Sequence, residues 1–119
     1  MATVLVCDDA AMSRETLRRN VALVPGVQRV DVAVSGEEVL DRWPVEQPNL
    51  VLMDVRMPLI DGLKCSSMLS QLHPDARIVI VTGGRTTNSM ARDVGARAVV
   101  EKPFELDQLG AVIHEAAAA

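Results

Sequence analysis

Five short apolar runs recur along the chain, each followed by a stretch with helical periodicity. This alternation constrains the fold more than any other feature. The runs cover residues 3–7, 29–34, 50–54, 77–82 and 98–101. After the first, Leu17, Val21 and Val24 fall at i, i+4 and i+7, and Pro25-Gly26 stops the helix. The second helix opens on the capping-box pattern Ser35-Gly36-Glu37-Glu38, and Pro44 is expected to end or kink it near Trp43. The third carries Cys65, Met68, Leu69 and Leu72 as its inner face, and His73-Pro74-Asp75 stops it. A short fourth helix covers roughly 88–94, ended by Gly95. The fifth points Leu106, Leu109, Val112 and Ile113 inward. Strands joined through helices by short connections must be parallel, with right-handed crossovers. The expected fold is α/β: a doubly wound (βα)5, flavodoxin-like sandwich with a five-stranded parallel sheet of order 2-1-3-4-5.

A chain of 119 residues is read as one domain, 1–119, large enough for a real core. Trp43 and Phe104 are its only aromatic residues, so that core must be aliphatic. A net charge of −4 gives no electrostatic reason to expect nucleic-acid binding. Cys7 and Cys65 are too isolated for a disulfide framework or a metal spacing and are expected as reduced core thiols. No signal peptide and no long apolar span is evident, so the expectation is a cytoplasmic protein that does not engage membrane.

The strand ends carry the chemistry. The first run closes on Asp8-Asp9, the third on Asp54, the fourth on Thr82 and the fifth at Lys102. In a parallel sheet all these ends share one edge, the edge where such sheets bind ligands. Each residue alone has a plainer role: an Asp-Asp pair caps a helix, a Thr ends a strand, a Lys is a solvated charge. Together they place three carboxylates, a hydroxyl and an ammonium around one crevice. Three carboxylates repel one another unless neutralised, and Mg2+ is the natural neutraliser because it is hard and prefers oxygen. A carboxylate can attack a phosphoryl group to give an acyl phosphate, with positive charge stabilising the transition state. No strong general base is apparent, so slow release of phosphate is expected rather than phosphatase turnover.

The motif set Asp8-Asp9, Asp54 with Met57-Pro58 and Asp61-Gly62, Thr82, Gly95-Ala96 and Lys102-Pro103-Phe104 resembles the receiver domain of bacterial two-component response regulators, the chemotaxis-regulator-like fold. The resemblance covers essentially residues 3–116. It implies Asp54 as phosphoacceptor. It also implies Mg2+ bound directly by Asp9 and Asp54, by Asp8 through water and by the Arg56 carbonyl, with Thr82 and Lys102 contacting the phosphoryl group. A cis Lys102-Pro103 bond is implied as well. The implied partner is a sensor histidine kinase or a histidine phosphotransfer protein, docked near the basic residues Arg14, Arg18 and Arg19, whose plainer reading is a solvated helix face. The implied function is a phosphoacceptor module of a phosphorelay, not an enzyme beyond its own phosphorylation and slow dephosphorylation. It would stand alone or form the N-terminal receiver of a larger regulator such as a transcription factor. Two departures bear on signalling. Val99 stands where receivers usually carry a switch aromatic, and the segment from Thr82 to Gly95 is about two residues short.

Other classes fit less well. A dehalogenase-like phosphatase wants a second Asp two residues after its nucleophile, where this chain has Arg56. A flavodoxin-type binder needs a hydroxyl- and Gly-rich phosphate loop after the first strand, where this chain has Asp8-Asp9. A pseudo-receiver, a purely structural interaction module, would not need the full acidic set. His73 and His114 share no metal spacing and are expected at the surface.

Overall fold

The computed structural model describes residues 2–118. Its elements run β1 (Ala2–Cys7), α1 (Ala11–Ala22), β2 (Val27–Ala33), α2 (Gly36–Glu46), β3 (Leu50–Asp54), α3 (Gly62–Leu72), β4 (Ile78–Thr82), α4 (Asn88–Asp93), β5 (Ala98–Glu101) and α5 (Leu106–Ala117). The strands form one parallel sheet in the order β2-β1-β3-β4-β5. This is the doubly wound α/β sandwich that the alternation predicts.

Successive side chains of a strand point to opposite faces. Leu5, Cys7, Val51, Met53, Ile78 and Ile80 therefore pack on one face, against Trp43, Cys65, Leu69 and Ala91 of α2, α3 and α4. Val4, Val6, Leu50, Leu52, Val79 and Val81 pack on the other, against Leu17 and Val21 of α1 and Leu109 and Ile113 of α5. Burial on both faces explains why β1, β3 and β4 read as apolar runs. β2, at the edge, buries only Ala33 fully. Cys7 and Cys65 are buried free thiols. Among the described residues no helix is long and apolar enough to cross a membrane.

Several boundaries differ from expectation. α1 stops at Ala22 under a Leu23 cap, ahead of Pro25-Gly26, so Val24 is buried from just outside the helix. Pro44 does not end α2, which runs on to Glu46 and closes with Gln47 in the left-handed region. Proline removes one backbone bond there, and Arg42 spans the weakened turn. Its guanidinium pairs with Glu38 and Glu46, both at 2.6 Å, and also donates to the Val32 carbonyl at 2.6 Å. The capping box is half as expected. Ser35 Oγ accepts the Glu38 N–H at 3.2 Å, but the Glu38 carboxylate accepts from Val34 N–H, one residue earlier than the reciprocal bond requires.

Two inward positions are corrected. In α3 the buried stripe is Gly62, Cys65, Ser66 and Leu69, Met68 is only half-buried, and Leu72 is 64% exposed. At 3.6 residues per turn Leu72 lies roughly 70° from the centre of that stripe. In α5 the stripe is Leu109, Ile113 and Ala116. Leu106 is exposed at the helix start and faces an open groove with Leu23 and Pro25.

Candidate functional site

The parallel sheet delivers the strand ends to one edge, and the register keeps them level: Cys7 lies beside Met53, Asp54 beside Val81 and Thr82 beside Glu101. A cavity of about 340 Å³ opens there, lined by Asp8, Asp9, Ser13, Asp54, Arg56 and Lys102 among others. Asp8 and Asp54 are buried, at 1% and 7% exposure, whereas Asp9 is exposed. One carboxylate oxygen from each of the three lies within 4.8 Å of the others. Asp54 is therefore not merely an exposed acid at a strand end.

One cation reaches into this cluster. Lys102 Nζ lies 3.5 Å from Asp54 Oδ1 and 3.8 Å from Asp8 Oδ2, and donates to Ser13 Oγ at 3.0 Å. Asp8 Oδ1 accepts the Ala10 N–H at 3.0 Å, so Asp8 braces its own turn rather than capping α1. Asp8 Oδ2 is buried and has no hydrogen-bond partner among the described residues. Burial pushes the Asp54 carboxyl above its ordinary pKa; the Lys102 ammonium pulls it back, and Asp8 and Asp9 push it further up. Three acids against one ammonium leave excess negative charge, and an orphaned buried carboxylate oxygen wants a positive partner. A hard divalent cation fits this donor set.

The loop after β3 is tightly drawn. Gly62 N–H bonds the Val55 carbonyl at 2.9 Å, and Asp61 caps α3 through Lys64 N–H at 2.8 Å. A Cβ on residue 62 would stand 2.1 Å from the Asp54 carbonyl oxygen, so only glycine lets α3 start here. Met57 is buried with its sulfur 3.4 Å from Cys7 Sγ. Leu59 is left-handed at φ 67 and 93% exposed. At the β5 end, Lys102 N–H bonds the Thr82 carbonyl at 2.7 Å, and the Lys102-Pro103 bond is cis, as the resemblance implies.

Asp8, Asp9, Asp54, Arg56 and Lys102 thus meet in one cavity. Thr82 does not line the cavity: it is buried at the end of β4, and its hydroxyl accepts the Gly84 N–H at 3.3 Å. Ser13 was not singled out from sequence. Its one sequence signal is a hydroxyl on the first turn of the helix that follows Asp8-Asp9. The basic stripe on α1 is largely compensated. Arg18 and Arg19 pair with Glu15 at 2.6 and 3.2 Å, and Arg14 donates to the Asp8 carbonyl. His73 is half-buried and stacks on Trp43 with ring centroids 4.6 Å apart; His114 is exposed and bonds the Pro25 carbonyl. Val99 is partly buried against the α2–α3–α4 side of the core.

Residues 4–114 match the family model of the response regulator receiver domain. The response regulator GacA of Pseudomonas viridiflava is 44% identical over 82 residues, which is 69% of this chain and 38% of GacA. The chain thus spans well under half the length of such relatives. The chemotaxis protein CheY of Bacillus subtilis is 28% identical over 114 residues, 94% of each chain. Among solved structures, the response regulator protein TrrA of Thermotoga maritima, in complex with Mg(2+)-BeF, superposes with a TM-score of 0.86 at 29% identity, covering 98% of this chain and 99% of TrrA. The acidic cavity at the carboxyl edge of a 2-1-3-4-5 sheet agrees with these matches, and the chain belongs to the response regulator receiver domain family.

Proposed function

We propose that Asp54 accepts a phosphoryl group from a phosphohistidine of a sensor histidine kinase or phosphotransfer protein, or from a small acyl phosphate. The observation that carries this reading is the convergence of the Asp8, Asp9 and Asp54 carboxylates and the Lys102 ammonium in one open cavity. A carboxylate oxygen of Asp54 forms the new bond to phosphorus as the donor's P–N or P–O bond breaks. The electron pair leaves with the imidazole or the carboxylate. Lys102 is placed to meet charge on the phosphoryl oxygens, and the Thr82 hydroxyl can donate to one of them once it turns from Gly84. Asp9 and Asp54, with Asp8 through water and the Arg56 carbonyl, would hold Mg2+. Bound there, Mg2+ supplies the positive charge that offsets both the carboxylates and the incoming phosphoryl oxygens.

Among the described residues no histidine lines the cavity, and its carboxylates would be engaged with the metal and the phosphoryl group, so the acyl phosphate should hydrolyse slowly. That lifetime suits a signalling mark and not a phosphatase. The short span of the GacA match favours a receiver whose output lies in another segment or partner. Mass spectrometry after incubation with acetyl phosphate and Mg2+ tests the reading. One added phosphoryl group, absent in Asp54→Asn, is expected; an unchanged wild-type mass across several donors sinks it.

A further inference from the structure

The amine of Lys102 has four rotatable bonds behind it, yet it must sit where the phosphoryl oxygens arrive. Its distances to Asp54 Oδ1 and Asp8 Oδ2, 3.5 and 3.8 Å, are longer than ordinary hydrogen bonds. The one short contact is to Ser13 Oγ at 3.0 Å, from a residue 89 positions away on the first turn of α1. Ser13 also stands on a border. It lines the acidic cavity on one side, and on the other an apolar groove of about 380 Å³ with Met12, Thr16, Phe104 and the Lys102 side chain. Lys102 is a third exposed, so without a tether its amine has a second place to go. The oxygen of Ser13 accepts from the ammonium, and among the described residues its own hydroxyl hydrogen is not committed to an acceptor.

We propose that Ser13 is a positioning residue for phosphoryl uptake: its hydroxyl fixes the Lys102 ammonium beside Asp54 and keeps it out of the adjoining groove. This rests on the reading of Asp54 as phosphoacceptor, and it adds a requirement on α1 that the strand-end constellation does not contain. Alanine at this helical position is a better helix former than serine, so Ser13→Ala removes the tether without weakening α1.

Uptake of phosphoryl from acetyl phosphate in Mg2+ is to be timed by mass spectrometry for wild type, Ser13→Ala and Ser13→Thr, with melting temperatures alongside. Ser13→Ala is expected to be about three- to ten-fold slower, the net worth of one ordinary intramolecular hydrogen bond, since Lys102 is a third exposed to water. Ser13→Thr should recover most of the rate, because it restores the hydroxyl. Equal rates for Ser13→Ala and wild type overturn the proposal, as does a threonine variant as slow as the alanine one. If wild type itself takes up no phosphoryl group, it is the phosphoacceptor reading that fails. The tether is then judged by reductive methylation of Lys102 with formaldehyde and cyanoborohydride, followed by peptide mapping. Faster methylation in Ser13→Ala than in wild type and Ser13→Thr supports it, and equal rates overturn it.

Discussion

Gly62 presses its Cα against the backbone of Asp54, so closely that a Cβ there would lie 2.1 Å from the Asp54 carbonyl oxygen and 2.7 Å from its carbonyl carbon. The contact is backbone on backbone, with no flexible side chain to yield. It clamps the start of α3 onto the end of β3 and so fixes the carboxylate's height in the cavity. Gly62→Ala should therefore destabilise by about 2–3 kcal/mol, as overpacking does, despite alanine's better helix propensity. The melting temperature should drop by roughly 10 °C. Phosphoryl uptake at Asp54 should fall with it, because the carboxylate must move. A variant that melts and labels like wild type would show that the clamp is not needed.

Asp9 differs from its two acidic neighbours in being exposed. Removing it therefore costs little in packing while relieving repulsion toward Asp8 and Asp54. If Asp9 holds Mg2+, the ion stabilises the fold by mass action. For a millimolar site at tenfold excess this is about 1.4 kcal/mol. Thermal melts should shift upward with Mg2+ in wild type, whereas Asp9→Ala should show no shift and melt at or above the metal-free wild type. The same Mg2+ dependence in both proteins would remove Asp9 from the metal set.

Leu59 holds φ 67 with 93% of its surface in water, so it bears left-handed strain without burial to offset it. Asparagine tolerates that region better. Leu59→Asn should stabilise by about 1 kcal/mol, the order of the left-handed penalty for an L-residue with a bulky side chain. Urea midpoints decide it, and a lower midpoint for the variant would mean that the leucine side chain is held by contacts the free chain does not display.

Burial raises the Cys65 thiol to about 12, with Glu37 and Asp61 adding to the shift, against an ordinary 9.0. The folded value is raised, so the stability tied to the neutral thiol is complete below about 9 and disappears as pH climbs toward about 12. Between those limits the unfolded chain ionises while the folded chain does not, and stability falls by up to ~1.4 kcal/mol per pH unit from this group. Cys65→Ala loses packing at pH 8 but escapes the alkaline loss. Its deficit against wild type should shrink steadily from pH 9 to 10.5 in urea titrations. A deficit independent of pH would show that the thiol is not shielded.

The order of elements and the acidic set were legible in the sequence because each rests on local pattern. Apolar runs mark buried strands, and a parallel sheet then brings Asp8, Asp54 and Lys102 together with no further information. What was not legible depends on where an element sits against its neighbours. Leu72 and Leu106 satisfy helical spacing, yet one is rotated off the buried stripe and the other opens its helix beside a groove. Pro44 reads as a stop, but Arg42 clasps Glu38 and Glu46 across it. Asp61-Gly62 reads as a turn or a helix entry, and α3 does begin there, but only the packed backbone shows that the missing side chain of Gly62 is what matters. Ser13 reads as an ordinary helix residue because its partner lies 89 positions away.

Thr82, at the end of β4, is bonded to the loop that follows it. Its hydroxyl accepts the Gly84 N–H at 3.3 Å, and Gly84 holds φ 127, a conformation that side-chain-bearing residues rarely adopt. If Asp54 takes a phosphoryl group and the Thr82 side chain swings toward it, the Gly84 N–H would lose its acceptor, and the loop to Thr87, the cap of α4, would be free to rearrange. Gly83 has nothing within 4 Å of where its Cβ would be, so that position of the loop is open. Val99 cannot relay the change in the usual way: it is β-branched, stiff at χ1 and partly buried against the core. Activation should therefore appear in residues 83 to 90, with Val99 unmoved. Amide exchange with and without a beryllofluoride phosphoryl mimic should show altered protection there, centred on Gly84. Thr82→Ala should show raised exchange at Gly84 before any mimic is added, since the acceptor is already gone. Changes confined to β5 and α5, with 83 to 90 silent, would place the signal path elsewhere.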